Sequence, residues 1–366
     1  MPIPLNGLTA DRLHERLAPL GVTPRMARQI HVAAVRRGEL PAELPNIPRR
    51  LLETVRQRTA IPRLTRLRKA VSPQDGFTKY LFHGAGPEPF EAVRIPLLHR
   101  PADPKAVVCV SSQVGCALGC AFCATGRLGF RRNLAAWEMV DQVAQIQADS
   151  PWPVRGVVFM GMGEPLLNYD AVTQAAQILA EPCGLAIAGK AISISTAGIV
   201  PGIRRFTAER LPFRLIVSLT AADPARRREL MPVEARHPTP ELMAALREHH
   251  AATGQRILLA WTMIAGVNTR EADARQLAEL TRGLPVTLDL IDVNDPTGRF
   301  LPPSQEELDR FRDALRRHLA MPVVRRYSGG KDIHAACGML AGECPPPPSR
   351  APLGRNSTMW NPQTPG

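Results

Sequence analysis

Apolar positions along the first part of the chain recur at spacings of three and four, as at Leu13, Leu17 and Leu20 and again at Ile30, Val32 and Val35. Pro and Gly separate the runs, so the pattern from Leu8 to about Arg68 predicts a small helical domain. Thr9 is placed to cap its first helix, and residues 49–58 read as a helix with one basic face. Around residues 78–95 the pattern shortens to alternating segments, which predict a strand pair. From Ala106 onward β-rich runs alternate with helical ones. The runs are AVVCV, VRGVVFM (154–160), AISIS (191–195), RLIVSL (214–219), RILLAWTMI (256–264), VTLDLIDV (286–293) and PVVRRY (322–327). Helices are expected after Leu134 and from Tyr169 to about Ala180.

Strands this evenly apolar are buried on both faces, as in a parallel sheet with helical crossovers. The six main units fall short of the eight that close a barrel, so the expected fold is α/β, a partial (β/α)6 barrel behind a small N-terminal helical domain. The boundaries are drawn at 1–75 for the helical domain and 76–344 for the barrel. Residues 345–366, rich in Pro and polar side chains, are expected to form a disordered tail.

Composition narrows the class. Hydrophobic residues make up 45% of the 366 and charged residues 22%, which argues against a disordered chain or a coiled coil. No apolar stretch reaches the roughly 18 residues of a spanning helix, and the N-terminus mixes acids and bases where a signal peptide would be apolar. A cytoplasmic protein with no membrane partner is therefore expected. The net charge of +13 calls for a polyanion, chiefly nucleic acid. Residues 1–70 hold fourteen Arg or Lys against five Asp or Glu, so the surplus concentrates in the helical domain. The competing explanation is a base composition that inflates Arg, since Lys occurs only at 69, 79, 105, 190 and 331.

Seven cysteines in a reducing compartment point to metal or redox chemistry rather than to a disulfide framework. Cys116, Cys120 and Cys123 form a Cys-x3-Cys-x2-Cys run just after a predicted strand. Three thiolates on one loop can hold a metal cluster and leave one corner open, whereas structural zinc and most cubane clusters take four ligands. A zinc site completed by Cys109, or three packed thiols, is the plainer alternative. Beyond strand 154–160 comes Gly161-Met162-Gly163-Glu164-Pro165. Glycines let backbone approach a ligand, and the carboxylate can accept hydrogen bonds from an ammonium group.

The segments CVSSQVGCALGCAFCATGRLGFRRNL (109–134), FMGMGEPLLNYD (159–170), ISTAGIVPGI (194–203) and AACGMLAG (335–342) resemble the RlmN/Cfr family of radical S-adenosylmethionine (SAM) RNA methyltransferases, from about Glu91 to Gly342. The N-terminal helical module is similar to that family's accessory domain. The resemblance implies one [4Fe-4S] cluster on Cys116, Cys120 and Cys123 and two SAM per turnover. It implies that Cys337 first takes a methyl group from one SAM. A 5′-deoxyadenosyl radical from the second would abstract hydrogen from that methyl, and the resulting S-methylene radical would add to adenine, leaving a covalent RNA adduct. Cys109 matches the thiol that resolves the adduct through a transient disulfide with Cys337, and Glu91 aligns with a proton acceptor. SAM contacts are expected from Gly163, Glu164, Ser195, Ser218, Leu219, Thr220 and Asn294, all at predicted strand ends.

The chain departs from the family at several points. It has Ser218-Leu219-Thr220-Ala221 in place of Ser-Leu-His-Ala, Ser328-Gly329-Gly330-Lys331-Asp332-Ile333 in place of Arg-Gly-x-Asp-Ile, and Met339 in place of Gln. Cys183 and Cys344 have no role in the scheme and are expected to be spectators. The implied target is carbon 2 of adenosine in 23S rRNA, with tRNA as a second substrate and a one-electron donor such as flavodoxin or ferredoxin as partner. Carbon 8, another RNA, or a non-catalytic iron–sulfur RNA-binding protein are the alternatives.

Overall fold

A computed structural model describes residues 2–98, 102–319 and 321–341. The chain starts with β1 (Ile3–Pro4), α1 (Ala10–Leu17), α2 (Pro24–Val32) and α3 (Arg49–Arg58), then β2 (Thr59–Ala60), which pairs in parallel with β1. Leu13, Leu17, Ala27, Ile30, Leu52 and Val55 are buried together in a core of their own. Burying six such side chains gives the small module its own hydrophobic driving force. The Thr9 hydroxyl caps α1 by accepting the Arg12 N–H at 3.4 Å.

The remaining chain builds one ten-stranded sheet. Three antiparallel strands, β3 (Thr65–Val71), β4 (Thr78–His83) and β5 (Phe90–Leu97), lead into β6 (Lys105–Cys109). The sequence pattern predicted one strand pair here and left residues 65–71 in the helical module. Thr65–Val71 is instead the sheet's edge, and its exposed Arg66, Arg68 and Lys69 hide the strand signal while keeping the edge from pairing with another chain.

A short hairpin of β7 (Gln113–Gly115) and β8 (Phe130–Asn133) brackets α4 (Ala124–Arg127). Then come α5 (Ala136–Asp149), β9 (Val154–Phe159), α6 (Tyr169–Ala180), β10 (Ile192–Thr196), α7 (Val200–Ala208) and β11 (Arg214–Ser218). The chain continues through α8 (Pro224–Leu230), α9 (Thr239–Thr253), β12 (Ile257–Met263), α10 (Glu271–Leu280), β13 (Val286–Asp292), α11 (Gln305–His318) and β14 (Val323–Arg325). Strands β6 and β9 to β14 lie side by side in chain order, each parallel to the next. The six predicted units form as expected, and the short β14 adds a seventh parallel strand. The sheet stays open, with β14 and β3 as its two edges.

Ile192, Ile194, Val157 and Phe159 are fully buried, as strands covered on both faces require. Their loops leave from one end of the sheet, so the cysteine loop after β6 and the glycine turn after β9 meet there. Among the described residues no helix is long and apolar enough to cross a membrane. The expected disordered tail and Cys344 lie outside the described residues.

Candidate active site

A cavity opens at the C-terminal ends of the parallel strands, enclosing ≈ 920 Å³ of space that continues into open solvent. Its wall includes Cys116, Cys120, Cys123, Gly163, Glu164, Ser195, Ser218, Asn294 and Cys337, gathered from six separate stretches of chain. Eight of these were singled out from strand ends or cysteine spacing, and Cys337 came from the resemblance.

Cys116, Cys120 and Cys123 lie close enough for their charges to act on one another, Cys337 answers to Cys123, and Cys109 answers to Cys337. Burial is the main influence on Cys109, Cys116 and Cys120, because a thiolate loses its hydration in the protein. It pushes Cys116 up to about 12 and lifts Cys120 and Cys109 far above the ordinary thiol range. Three soft donors on an eight-residue loop, opening onto a cavity rather than onto a fourth cysteine of that loop, suit a thiolate-bound cluster with one free corner. Binding iron removes the need for a proton on these sulfurs. Cys109 lies behind the wall rather than in it, so a zinc site completed by Cys109 gains nothing from the geometry.

Cys337 stands at the cavity mouth with its surface accessible, while the surrounding protein still raises its thiol above the usual range; the Arg326 charge acts in the opposite direction. The segment carrying it is docked on the helix that follows Cys123, where the Ala124 N–H donates to the Gly338 carbonyl at 2.8 Å and the Thr125 hydroxyl donates to the Leu340 carbonyl. Six described cysteines, Cys109, Cys116, Cys120, Cys123, Cys183 and Cys337, are free thiols. No disulfide joins described cysteines, so a Cys109–Cys337 bond is not a resting feature of the fold.

Glu164 is buried, and its carboxylate accepts the Ala197 N–H at 2.8 Å and the Leu166 N–H at 3.0 Å. Burial outweighs those bonds and pushes the group up to about 7. Gly163 has φ +100, and a Cβ there would sit 2.5 Å from the Gln113 side chain. Only glycine allows the turn to lie so close to β7. Gln113 also accepts the Glu164 N–H at 2.9 Å.

Not every expected contact reaches the cavity. Leu219 is a core residue, and Thr220, at φ +61, turns its hydroxyl into the interior, where it finds no partner among the described residues. Glu91 faces a second cavity beside the first, lined also by Arg68, Lys79, His334, Met339 and Ala341. Its carboxylate pairs with the Lys79 ammonium at 2.8 Å and accepts the Ala341 N–H at 2.9 Å. The segment 337–341 divides the two cavities, with Cys337 and Gly338 on one side and Met339 and Ala341 on the other.

Sequence reading passed over Thr196, Thr262 and Asp292 in the cavity wall. Their position at the ends of β10, β12 and β13 was the available signal. It also left His31 and Cys183 unassigned. The buried His31 ring lies 3.0 Å from the Leu8 carbonyl and 3.7 Å from Glu181, whose carboxylate accepts the Ala10 N–H and a bond from the Cys183 thiol. This cluster fastens the helical module to the end of α6.

The sequence model of the Radical SAM superfamily matches residues 110–280. A probable RNA methyltransferase of Myxococcus xanthus is 47% identical, covering 95% of this chain and 98% of its own. The dual-specificity RNA methyltransferase RlmN of Syntrophobacter fumaroxidans is 40% identical over 93% of this chain and 99% of its own. The crystal structure of a radical SAM methyltransferase from Sphaerobacter thermophilus superposes with a TM-score of 0.83 at 38% identity, covering 93% of this chain and 99% of that one.

Proposed function

Since this chain belongs to the radical SAM RNA methyltransferases of the RlmN type, we propose that it methylates carbon 2 of adenosine in 23S rRNA, with tRNA as a second substrate, by way of an S-methylated Cys337. The observation that carries this reading is the convergence of Cys116, Cys120, Cys123 and Cys337 on one cavity, with Cys109 near enough to Cys337 for their charges to interact.

Cys116, Cys120 and Cys123 would hold a [4Fe-4S] cluster, and Gly163, Glu164, Ser195, Ser218 and Asn294 would surround SAM. When bound, the cluster and SAM supply a 5′-deoxyadenosyl radical once a donor such as flavodoxin or ferredoxin has delivered one electron. The protein's own part starts at Cys337. Its thiolate attacks the methyl carbon of a first SAM, forming a sulfur–carbon bond and displacing S-adenosylhomocysteine. Burial resists that ionisation, and the Arg326 guanidinium assists it. A second SAM is spent on hydrogen abstraction, which makes two per turnover.

By the family resemblance Glu91 would take the proton that the adenine carbon must lose; it lies across segment 337–341 from Cys337, held by the Lys79 ammonium and the Ala341 N–H. Cys109, at the end of β6, would then attack the Cys337 sulfur as its thiolate. The sulfur–methylene bond breaks, its electron pair stays on the carbon, which takes up a proton to become the methyl of the released base, and the two sulfurs remain as a transient disulfide. The basic N-terminal module carries the RNA. Its exposed Arg50 and Arg58 on α3 are free to meet phosphates.

The test is intact-protein mass spectrometry after anaerobic reconstitution with methyl-labelled SAM. A labelled methyl confined to the Cys337 peptide is expected. A methylated product formed while Cys337 stays unlabelled contradicts the reading.

A further inference from the structure

Arg227 is a fully buried cation on α8, and each face of its guanidinium fork meets an acceptor. Nε donates to the Leu219 carbonyl at 3.2 Å, Nη2 to the Ala197 carbonyl at 2.7 Å, and Nη1 to the Glu234 carboxylate at 2.6 Å. Glu234 also accepts the Thr239 N–H at 2.8 Å and the Thr239 hydroxyl at 2.9 Å, so its carboxylate is satisfied. The two carbonyls are the informative partners. Leu219 follows β11 and Ala197 follows β10, and both lie immediately beside the cavity residues Ser218 and Thr196.

Ala197 faces two ways. Its carbonyl is held by Arg227, and its N–H donates to the Glu164 carboxylate at 2.8 Å. The fork therefore connects the ends of β10 and β11 to the glycine turn after β9. Gly198, at φ +108, leaves room for it, since a Cβ there would lie 3.2 Å from Nη2. The same helix steadies the cysteine loop, because the Leu230 carbonyl accepts the Ala121 N–H at 2.9 Å.

We propose that Arg227 is a positioning residue for SAM, one that fixes Ala197 and thereby aims the Glu164 carboxylate at the methionine ammonium. Arg227 touches neither SAM nor the reacting atoms and acts through the backbone of Ala197. The inference rests on the reading that Glu164 receives that ammonium. A planar fork with three fixed directions does this, and a single-point ammonium does not.

The experiment separates positioning from stability. Truncating Arg227 alone strands the Glu234 charge in the interior, which is expected to lower the melting temperature whatever else Arg227 does. The double variant Arg227→Met with Glu234→Gln removes both charges and keeps an acceptor for Thr239. It is expected to melt close to the wild type and to load its full cluster, yet to bind SAM about tenfold more weakly by anaerobic equilibrium dialysis. Arg227→Lys, which keeps the charge opposite Glu234, is expected to show the same split. Wild-type SAM affinity in either variant with its stability intact overturns the proposal. If Glu164→Gln, fully loaded with cluster, binds SAM as the wild type does, the underlying reading of Glu164 fails instead.

Discussion

The side-chain amide of Asn294 holds the backbone of Cys337, donating to its carbonyl oxygen at 3.3 Å and to the Ser328 hydroxyl at 2.8 Å. Ser328, in turn, acts on the Cys337 thiol in the direction that favours its thiolate. An amide nitrogen can only donate, so the Ser328 oxygen accepts from Asn294 and keeps its one proton for the sulfur. Asn294 was expected as a SAM contact from its strand-end position. It lines the cavity as expected and also anchors the thiol that faces it.

Removing that anchor is expected to slow methyl transfer to Cys337 without unfolding the protein. Asn294→Ala should reduce the initial rate of Cys337 labelling about tenfold, in line with one or two lost hydrogen bonds at a reacting group. Ser328→Ala should slow it less and move the pH dependence of labelling to higher pH, because the hydroxyl favours the thiolate. Quench-flow labelling followed by peptide mass spectrometry measures both.

Cys109 and Cys337 are expected to fail at different stages. Cys109→Ala should accumulate a covalent RNA–protein adduct that survives denaturing electrophoresis, and Cys337→Ala should form none. A Cys109→Ala protein that turns over without trapping RNA would show that another thiol resolves the adduct.

Much of this arrangement was legible in the sequence because the chemistry is carried by short local patterns. The spacing of Cys116, Cys120 and Cys123 lies on one loop, and evenly apolar runs such as AISIS mark strands buried on both faces. What stayed hidden is held together across the chain. Thr65–Val71 is a sheet-edge strand carrying cations at Arg66, Arg68 and Lys69, and nothing local distinguishes it from a solvated helix face. Arg227 sits in the run ArgArgArg (226–228), yet only Arg227 is fully buried, a distinction that depends on carbonyls at Ala197 and Leu219. Thr220 shows the reverse relation. It occupies a strand end, but a left-handed backbone turns its hydroxyl away from the cavity.

The basic module is expected to contribute phosphate contacts and little sequence reading. Replacing exposed Arg50 and Arg58 together with Ala should weaken RNA binding and reduce the slope of log affinity against log salt by roughly 1.5. Melting temperature should stay within the narrow range typical of surface changes. Filter binding over a salt series reads the slope, and an unchanged slope would remove these residues from the interface.

His249, buried on α9 with its ring 5.9 Å from Phe206 and its Nδ1 2.8 Å from the Thr207 hydroxyl, sets part of the acid sensitivity. Burial holds the ring below the ordinary value of 6.5, and neighbouring His250 acts in the same direction. The folded chain therefore prefers neutral His249, whereas the unfolded chain takes up a proton near the ordinary value. Stability from the neutral ring is complete above that value and is lost as pH falls through it toward the lower folded pKa. Burial lowers His31 and His237 as well, so the melting temperature should fall between about pH 7.5 and about pH 5.5. His249→Leu should flatten part of that slope, as followed by calorimetry across the pH series.

The most direct test of the central claim is mass spectrometry of nucleosides from RNA incubated with the reconstituted enzyme, a reductant and methyl-labelled SAM. Separate rRNA and tRNA pools from cells lacking the gene supply the substrate. The account predicts labelled 2-methyladenosine in 23S rRNA, lost in Cys337→Ala. Labelled 8-methyladenosine would contradict the assigned carbon, and an intact cluster that cleaves SAM while leaving every adenosine unlabelled would contradict the RNA substrate itself.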